Sequence, residues 1–245
     1  MSAIVILVAT FMMGLSWMNL IEIGSGLTSM ECNFLNQLQE RLGCEWSQIA
    51  QAVDGASEQR QNLSRILTEK SGKPVSTDAD IVVFGSLARD EWTSRSDIDW
   101  TLLIDGQARP DHRKIAQSIE KKLCENNFQK PGTTGAFASL TFSHDLVHLI
   151  GGEADTNITT TKRILLLLES AHITVDPLVS DSSISAYDRV LRSVLDRYLL
   201  DDTNFLGKKG NESKVPRFLL NDIIRFWRTM CVDFAWKGWE RGQKR

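Results

Sequence analysis

Residues 81–105 read IVVFGSLARDEWTSRSDIDWTLLID. The first four residues of this stretch are β-branched or aromatic, which predicts a short buried strand. Gly85 and Ser86 follow and predict a tight turn. The apolar run 98–104 predicts a second strand, and two aspartates mark its beginning. The rest of the chain can be interpreted as support for this strand–turn–strand unit or as an addition to it.

The two aspartates are expected to lie on one side of the second strand. Successive side chains alternate between the faces of a strand, so Asp97 and Asp99 point one way and Ile98 and Trp100 the other. Two neighbouring carboxylates repel each other unless a positive charge lies between them. Mg²⁺ supplies such a charge and prefers a few carboxylate oxygens together with substrate phosphates. The pair is therefore a candidate metal site.

The turn before the aspartates has the properties of a phosphate site. Gly85 lets the backbone approach a ligand closely, and exposed N–H groups with the Ser86 hydroxyl can hold phosphate oxygens. A phosphate site that faces a carboxylate pair suits phosphoryl or nucleotidyl transfer through two metal ions. Taken alone, Ser86 would be an ordinary turn serine, and its interpretation depends on these neighbours.

Composition is typical of a soluble globular protein, with 42% hydrophobic and 24% charged residues in 245 residues. This length allows one large domain or two small ones. The net charge of −3 provides no global basic field for nucleic acid. The four cysteines are scattered, without a C-x-x-C pair, so a zinc site or disulfide framework is not expected. Free thiols in the cytoplasm are the expected state.

The N-terminal residues 3–23 are apolar over a length that suits a membrane span, although Asn19 and Glu22 interrupt its far end. No Lys or Arg precedes the segment, so it lacks the basic region of a signal peptide. Three interpretations stay open: a membrane anchor, a buried or interfacial helix, and an extension before a true start at Met30. Contact with a membrane therefore stays open.

Helical patterns flank the predicted strands. Apolar residues recur at helical spacing between residues 31 and 70, with Gly43 and Gly55 as predicted breaks. Pro110 suits the first turn of another helix. Residues 137–150 are expected to form a third strand, or two.

The C-terminal part is predicted to be helical. Thr156 is a good N-cap for a helix that runs to Ser170, residues 184–200 are amphipathic, and Pro216 begins a last helix rich in aromatics. Strands in the middle and helices at both ends predict an α+β fold with a helical C-terminal domain. The expected units are an apolar segment at 1–30, a helical region at 31–76, a core at 77–172, and a helical region at 173–245 that one interpretation takes as truncated.

The Gly85-Ser86 pair, ten further residues and then Asp97-Ile98-Asp99 resemble the signature of the DNA polymerase β nucleotidyltransferase superfamily. The strings GSLARDE and SDID are similar to the branch of PII-protein uridylyltransferases and related signal-transduction nucleotidyltransferases, which usually has glycine where Asp90 stands. The run LLLLES at 165–170 resembles a helix of the same branch. The resemblance covers roughly residues 77–172 and implies a mixed sheet flanked by helices.

The resemblance also implies roles for individual residues. Gly85, Ser86 and Arg89 would bind the triphosphate of a nucleotide, and Asp97 and Asp99 would bind two Mg²⁺ ions and form the catalytic pair. The superfamily commonly adds a third carboxylate from a later strand. Asp145 is the preferred candidate because it lies in the predicted third strand, and the alternatives are Glu153 and Asp155. Arg89 could instead form a structural ion pair with Glu91.

The expected function is that of a Mg²⁺-dependent nucleotidyltransferase, which moves a nucleoside monophosphate from an NTP to a hydroxyl acceptor. The acceptor could lie on a regulatory protein, as in the uridylyltransferase branch. The absence of a basic field favours a protein or a small molecule over a long nucleic acid. The alternative is a catalytically inactive nucleotide-binding or partner-binding regulatory module of the same fold.

Other polar and aromatic residues have less specific patterns. His144 and His148 have the i, i+4 spacing of a helical metal site, but the predicted strand there favours ordinary packing or hydrogen bonding. Lys162 and Arg163 are expected to be solvated, with phosphate contact as the alternative. The same holds for a polar row on the last helix: Arg217, Asn221, Arg225 and Arg228. The aromatic residues of 218–239 are expected in the core or at a face between domains, with nucleotide stacking as the alternative.

Overall fold

The computed structural model describes residues 37–68, 77–129, 137–173, 184–205 and 216–243. The sequence also predicts a helix end at 71–74 and loops at 131–135 and 207–211. These stretches and the apolar segment 3–23 lie outside the described residues. Within the described part, no helix is long and apolar enough to cross a membrane.

The described residues contain one four-stranded mixed sheet. Its strands are β1 (Ala79–Phe84), β2 (Trp100–Ile104), β3 (Ser139–Phe142) and β4 (Ser170–Ile173), in the order β3-β2-β1-β4. β1 is antiparallel to both β2 and β4, and β2 is parallel to β3. The C-terminal end of β1 therefore meets the N-terminal ends of its two neighbours. The predicted strands 81–84 and 98–104 correspond to β1 and β2.

The helices are α1 (Ser47–Thr68), α2 (Pro110–Glu125), α3 (Ser143–His148), α4 (Asn157–Leu168), α5 (Ala186–Phe205) and α6 (Arg217–Gln243). They cover the two faces of the sheet. α1 and α2 pack on the face that carries Ile81, Val83 and Leu102. α3 to α6 pack on the opposite face, which carries Val82 and Leu103. The predicted α+β fold, a mixed sheet flanked by helices with a helical C-terminal region, is confirmed.

Local signals account for several helix boundaries. Pro110 is the first residue of α2, where its missing N–H would have had no partner in any case. The Thr156 hydroxyl accepts a hydrogen bond of 3.1 Å from the Thr159 N–H and caps α4. Gly43, with a φ of +61°, follows the helical residues 37–42. The break predicted at Gly55 is wrong, because this glycine lies inside α1.

The strand predicted over residues 137–150 is correct only for its first part. β3 ends at Phe142, and α3 begins at the next residue. After β3, the buried residues of this segment are Leu146, Val147 and Ile150, whose spacing is that of one helix face. A strand would have placed Leu146 and Val147 on opposite sides, so burial of both against the same cluster selects the helix.

The aromatic residues of α6 divide into two groups. Phe226 is buried. Phe218 packs so closely on Gly151 that a Cβ built on this glycine would lie 2.3 Å from the Phe218 ring. The core prediction is wrong for the second group, whose side chains are 50–79% exposed: Trp227, Phe234, Trp236 and Trp239. The first half of α6 therefore contributes Phe218 and Phe226 to the core, while Trp227 and the three aromatic side chains of its second half lie at the surface.

Candidate active site

The turn after β1 has a fixed and unusual backbone conformation. Gly85 has a φ of +67°, which L side chains rarely adopt. Its carbonyl accepts hydrogen bonds from the N–H groups of Ala88 (3.1 Å) and Arg89 (2.9 Å), and the Ser86 carbonyl accepts one from Glu91 (2.8 Å). The buried Leu87 side chain anchors the short 3₁₀ turn Gly85–Leu87 to the core.

This turn faces Asp99. A Cβ built on Gly85 would lie 3.5 Å from Asp99 Oδ2, an ordinary contact distance. Backbone conformation, rather than lack of space, therefore requires the glycine. The Phe84 N–H donates a 2.9 Å hydrogen bond to the Asp99 carbonyl, which holds the end of β1 and the aspartate side by side.

Buried neighbours orient the two aspartates. Ile98 and Trp100 are 1% and 2% exposed, whereas Asp97 is exposed and Asp99 is half-buried. This alternation agrees with the expectation that both carboxylates point to one side, although β2 itself begins only at Trp100. The side is that of Leu103, against which α3 to α6 pack.

Burial and neighbouring negative charges destabilise the ionised form of Asp99. Burial, followed by the charges of Asp97 and Glu169, raises the pKa of Asp99 from 3.8 to about 6, and the charge of Lys237 opposes the shift. Lys237 lies on α6, where it pairs with Asp233 at 2.7 Å. A negative site with this deficit of positive charge fits a divalent cation, which would stabilise the ionised form of Asp99.

Glu169 is a candidate site residue that the sequence did not single out. It lies between α4 and β4, and β4 pairs with β1 through Ser170 and Phe84. This pairing brings Glu169 beside the turn, on the side of β1 away from β2. The position was missed because β4 is four residues long and was not predicted as a strand. An acid directly before a strand was the signal that could have revealed it.

Arg89 links the turn to Glu169. Its guanidinium donates hydrogen bonds to the Glu169 carboxylate and to Glu91, which it also contacts at 2.8 Å through Nη2. The ion pair with Glu91, one of the two alternatives for Arg89, is thus present. The nucleotide-binding role of Arg89 stays a prediction, and its place beside the turn is compatible with it.

The three acids first considered as partners of the pair lie elsewhere. Asp145 is exposed on α3, beyond the C-terminal end of β3, whereas Asp99 precedes β2. Because β2 and β3 are parallel, Asp145 and Asp99 lie beyond opposite ends of these two strands, roughly 15 Å or more apart along the strand direction. The strand position that favoured Asp145 is therefore wrong. Glu153 is exposed between α3 and α4, and Asp155 is buried against Arg163.

Arg163 and Arg225, expected to be solvated, instead take part in a buried ion cluster. Arg163 is fully buried, pairs with Asp155 at 2.6 Å and Asp222 at 2.8 Å, and donates to the Leu146 carbonyl at 2.9 Å. Arg225 reaches the same Asp155 carboxylate at 3.3 Å. The expectation of solvation is wrong because these charges join α4 to α6.

Lys162 is half-buried and donates to the hydroxyls of Ser139 (3.0 Å) and Thr141 (3.1 Å) on β3. Burial lowers its pKa, against the opposing charge of Asp145. Among the described residues, no group of three or more His, Cys, Asp or Glu side chains is placed to hold a metal ion. The Asp97–Asp99 pair alone nevertheless fits the one or two carboxylates by which Mg²⁺ is usually held.

Comparison with known proteins identifies the part of the chain that carries this geometry. No curated protein and no solved structure shows significant similarity to the chain. Residues 60–126 match the family model described as "Nucleotidyltransferase domain". The match runs from the middle of α1 through β1, the Gly85 turn and β2 to the end of α2, and so includes the aspartate pair. Over residues 60–126 the chain is thus similar to a nucleotidyltransferase domain of the DNA polymerase β-like superfamily.

Proposed function

We propose that the protein is a Mg²⁺-dependent nucleotidyltransferase, which transfers a nucleoside monophosphate from an NTP to a hydroxyl acceptor. The observation that carries the proposal is the contact between the Gly85 turn and Asp99. A candidate phosphate site and a candidate metal ligand adjoin within the matched domain, with only 3.5 Å between a Cβ built on Gly85 and Asp99 Oδ2.

In this proposal the turn binds the triphosphate through its backbone N–H groups and the Ser86 hydroxyl. Asp97 and Asp99 hold the Mg²⁺ ions. The bound ions would neutralise the triphosphate and lower the pKa of the acceptor hydroxyl. The chain's own contribution is positional, because the buried Ile98 and Trp100 fix the direction of both carboxylates.

We further propose that Glu169 is the third carboxylate. Its charge acts on Asp99, and residues 137–139, which lie beside Asp99 on the β3 side, contain no acid. Arg89 pairs with Glu169 and offsets its charge. When a nucleotide binds, the guanidinium would turn towards the phosphates and free Glu169 to face the metal site, since phosphate oxygens are strong partners for Arg.

The acceptor is proposed to be a hydroxyl on a protein or a small molecule. A net charge of −3 does not favour a long nucleic acid. The likeness of the 85–99 motif to the uridylyltransferase branch supports a regulatory protein as acceptor and a role in signal transduction, in the cytoplasm. The matched family model supports nucleotidyl transfer in general and does not distinguish among nucleotides.

The test is turnover of α-³²P-labelled NTPs with Mg²⁺, followed as pyrophosphate release and as label on a protein or added acceptor. Wild type is expected to turn over, and Asp97→Asn and Asp99→Asn are expected to lower the rate at least about 100-fold. Glu169→Gln should lower the rate while NTP binding, measured by fluorescence titration, persists. Glu120→Gln, at an exposed position on α2, is the matched control and should keep full activity.

The same experiment tests the second candidate function, an inactive nucleotide-binding module. It is favoured by one observation: as placed, the carboxylates of the described residues form no three-ligand metal group, and Glu169 is bonded to Arg89. Metal-dependent NTP binding without turnover for any of the four NTPs would support the module and reject the enzyme.

A further inference from the structure

We propose that His144 and His148 on α3 form a binding site for a divalent transition-metal ion such as Zn²⁺, separate from the carboxylate site. The sequence contains four histidines, and these two are the only pair at i, i+4 spacing. Such a spacing places both rings on one face of a helix. In a strand, residues four apart lie roughly 13 Å from each other and cannot share an ion, so the finding that residues 143–148 are helical changes the interpretation of this spacing.

The two rings already have the separation that a shared metal ion needs. Their centroids lie 5.1 Å apart, with 37° between the ring planes. In a tetrahedral zinc site with Zn–N bonds of about 2.0–2.1 Å, two imidazole centroids lie roughly 5 Å apart. The separation of the two rings therefore matches the separation that a shared ion requires.

Both side chains are available for a ligand. His144 and His148 are exposed, and within the described part of the chain neither ring has a hydrogen-bond or ion-pair partner. The opposite face of α3 is fixed, because Leu146 and Val147 pack in the core cluster with α4 and α5. The two exposed imidazole rings therefore lie on a helix whose opposite face is held in the core.

Asp145 is not part of this site. It follows His144 directly, so its side chain is turned by about 100° around the helix axis. Its charge acts instead on the Lys162 ammonium. Water completes the coordination of an ion held by two imidazoles. Imidazole nitrogen selects Zn²⁺, Ni²⁺ or Cu²⁺ over Mg²⁺, which prefers oxygen, so the two metal sites differ in chemistry as well as in place.

Zn²⁺ binding to the full chain, measured by competition with a chromophoric chelator, tests the proposal. The thiols are first alkylated, because Cys44, Cys124 and Cys231 are free and exposed and would also bind zinc. Excess Mg²⁺ is present throughout to occupy the carboxylate site. Wild type is expected to bind one Zn²⁺, and His144→Asn and His148→Asn should each weaken binding at least about 10-fold, as loss of a direct ligand requires.

Asp145→Asn is the matched control on the same helix and should bind Zn²⁺ like wild type. Thermal melting provides a second measurement: Zn²⁺ should raise the melting temperature of wild type and of Asp145→Asn, but not of the two histidine variants. Without metal all four proteins should melt alike, since the substituted side chains are exposed. Absence of zinc binding in wild type, or undiminished binding in both histidine variants, would overturn the proposal. An equal loss in Asp145→Asn would overturn the two-histidine assignment.

Discussion

At the residue scale, the most perturbed group of the candidate site is Asp99. Its pKa, raised to about 6, reflects a carboxylate that is partly buried beside Asp97 and Glu169 with little positive charge nearby. In the absence of metal, ionisation of Asp99 therefore costs folding free energy. The native state holds its proton to a higher pH than the unfolded chain does, and stability falls as pH rises between about 4 and 6.

Asp99→Asn should remove this cost. After discounting for partial exposure, we expect the variant to be about 1–2 kcal/mol more stable than wild type at pH 7.5. The difference should shrink towards zero below about pH 3, where wild-type Asp99 is mostly protonated in both states. Urea denaturation at both pH values, without Mg²⁺, measures it, and Asp196→Asn on α5 is the control at an exposed aspartate. An Asp99→Asn variant that is less stable than wild type at pH 7.5 would contradict the electrostatic account.

Gly85 is a second position, at which the backbone conformation restricts the residue type. Gly85→Ala must place a side chain at a φ of +67°, which should destabilise the fold by about 1–2 kcal/mol even though space exists for the methyl group. Gly106→Ala is the matched control, because a Cβ there meets Asp78 at an ordinary 3.5 Å and the backbone has no positive φ. Equal denaturation midpoints for the two variants would show that the turn tolerates alanine by rearranging.

At the element scale, the sequence predicted what local patterns determine. β1, the turn and the orientation of the aspartates follow from β-branched residues, glycine and strand alternation within 25 residues. α3 was missed because a six-residue helix directly after a strand has too few residues to display its period. Glu169 was missed for a related reason, since its position beside Gly85 depends on the pairing of β4 with β1, between segments more than 80 residues apart.

At the scale of the whole molecule, the buried ion cluster connects parts of the chain that local patterns cannot relate. Arg163 on α4 binds Asp222 on α6, and Tyr198 on α5 donates to the same carboxylate at 2.7 Å. No sequence pattern indicated this cluster, because a pairing between residues 59 positions apart has no local signature. Arg163 was accordingly expected at the surface.

Arg163→Met should destabilise the protein by about 3–5 kcal/mol, since it leaves the carboxylates of Asp155 and Asp222 buried without their main partner. Arg192→Met, at an exposed position on α5, is the control and should change stability by less than about 0.5 kcal/mol. Urea denaturation measures both. Addition of Asp155→Asn and Asp222→Asn to Arg163→Met should recover part of the loss, and a single variant as stable as wild type would show that the cluster carries no net stability.

The position of Arg163 also bears on how the chain folds. Arg163 belongs to α4, yet one of its two carboxylate partners comes from α6, some 60 residues later. A chain that ended before residue 217 would lack Asp222 and would leave the Arg163 guanidinium with Asp155 as its carboxylate partner. The matched domain and the C-terminal helices should therefore unfold in one cooperative transition, and native-state hydrogen exchange should give the amides of β1 and those around Asp222 the same opening free energy.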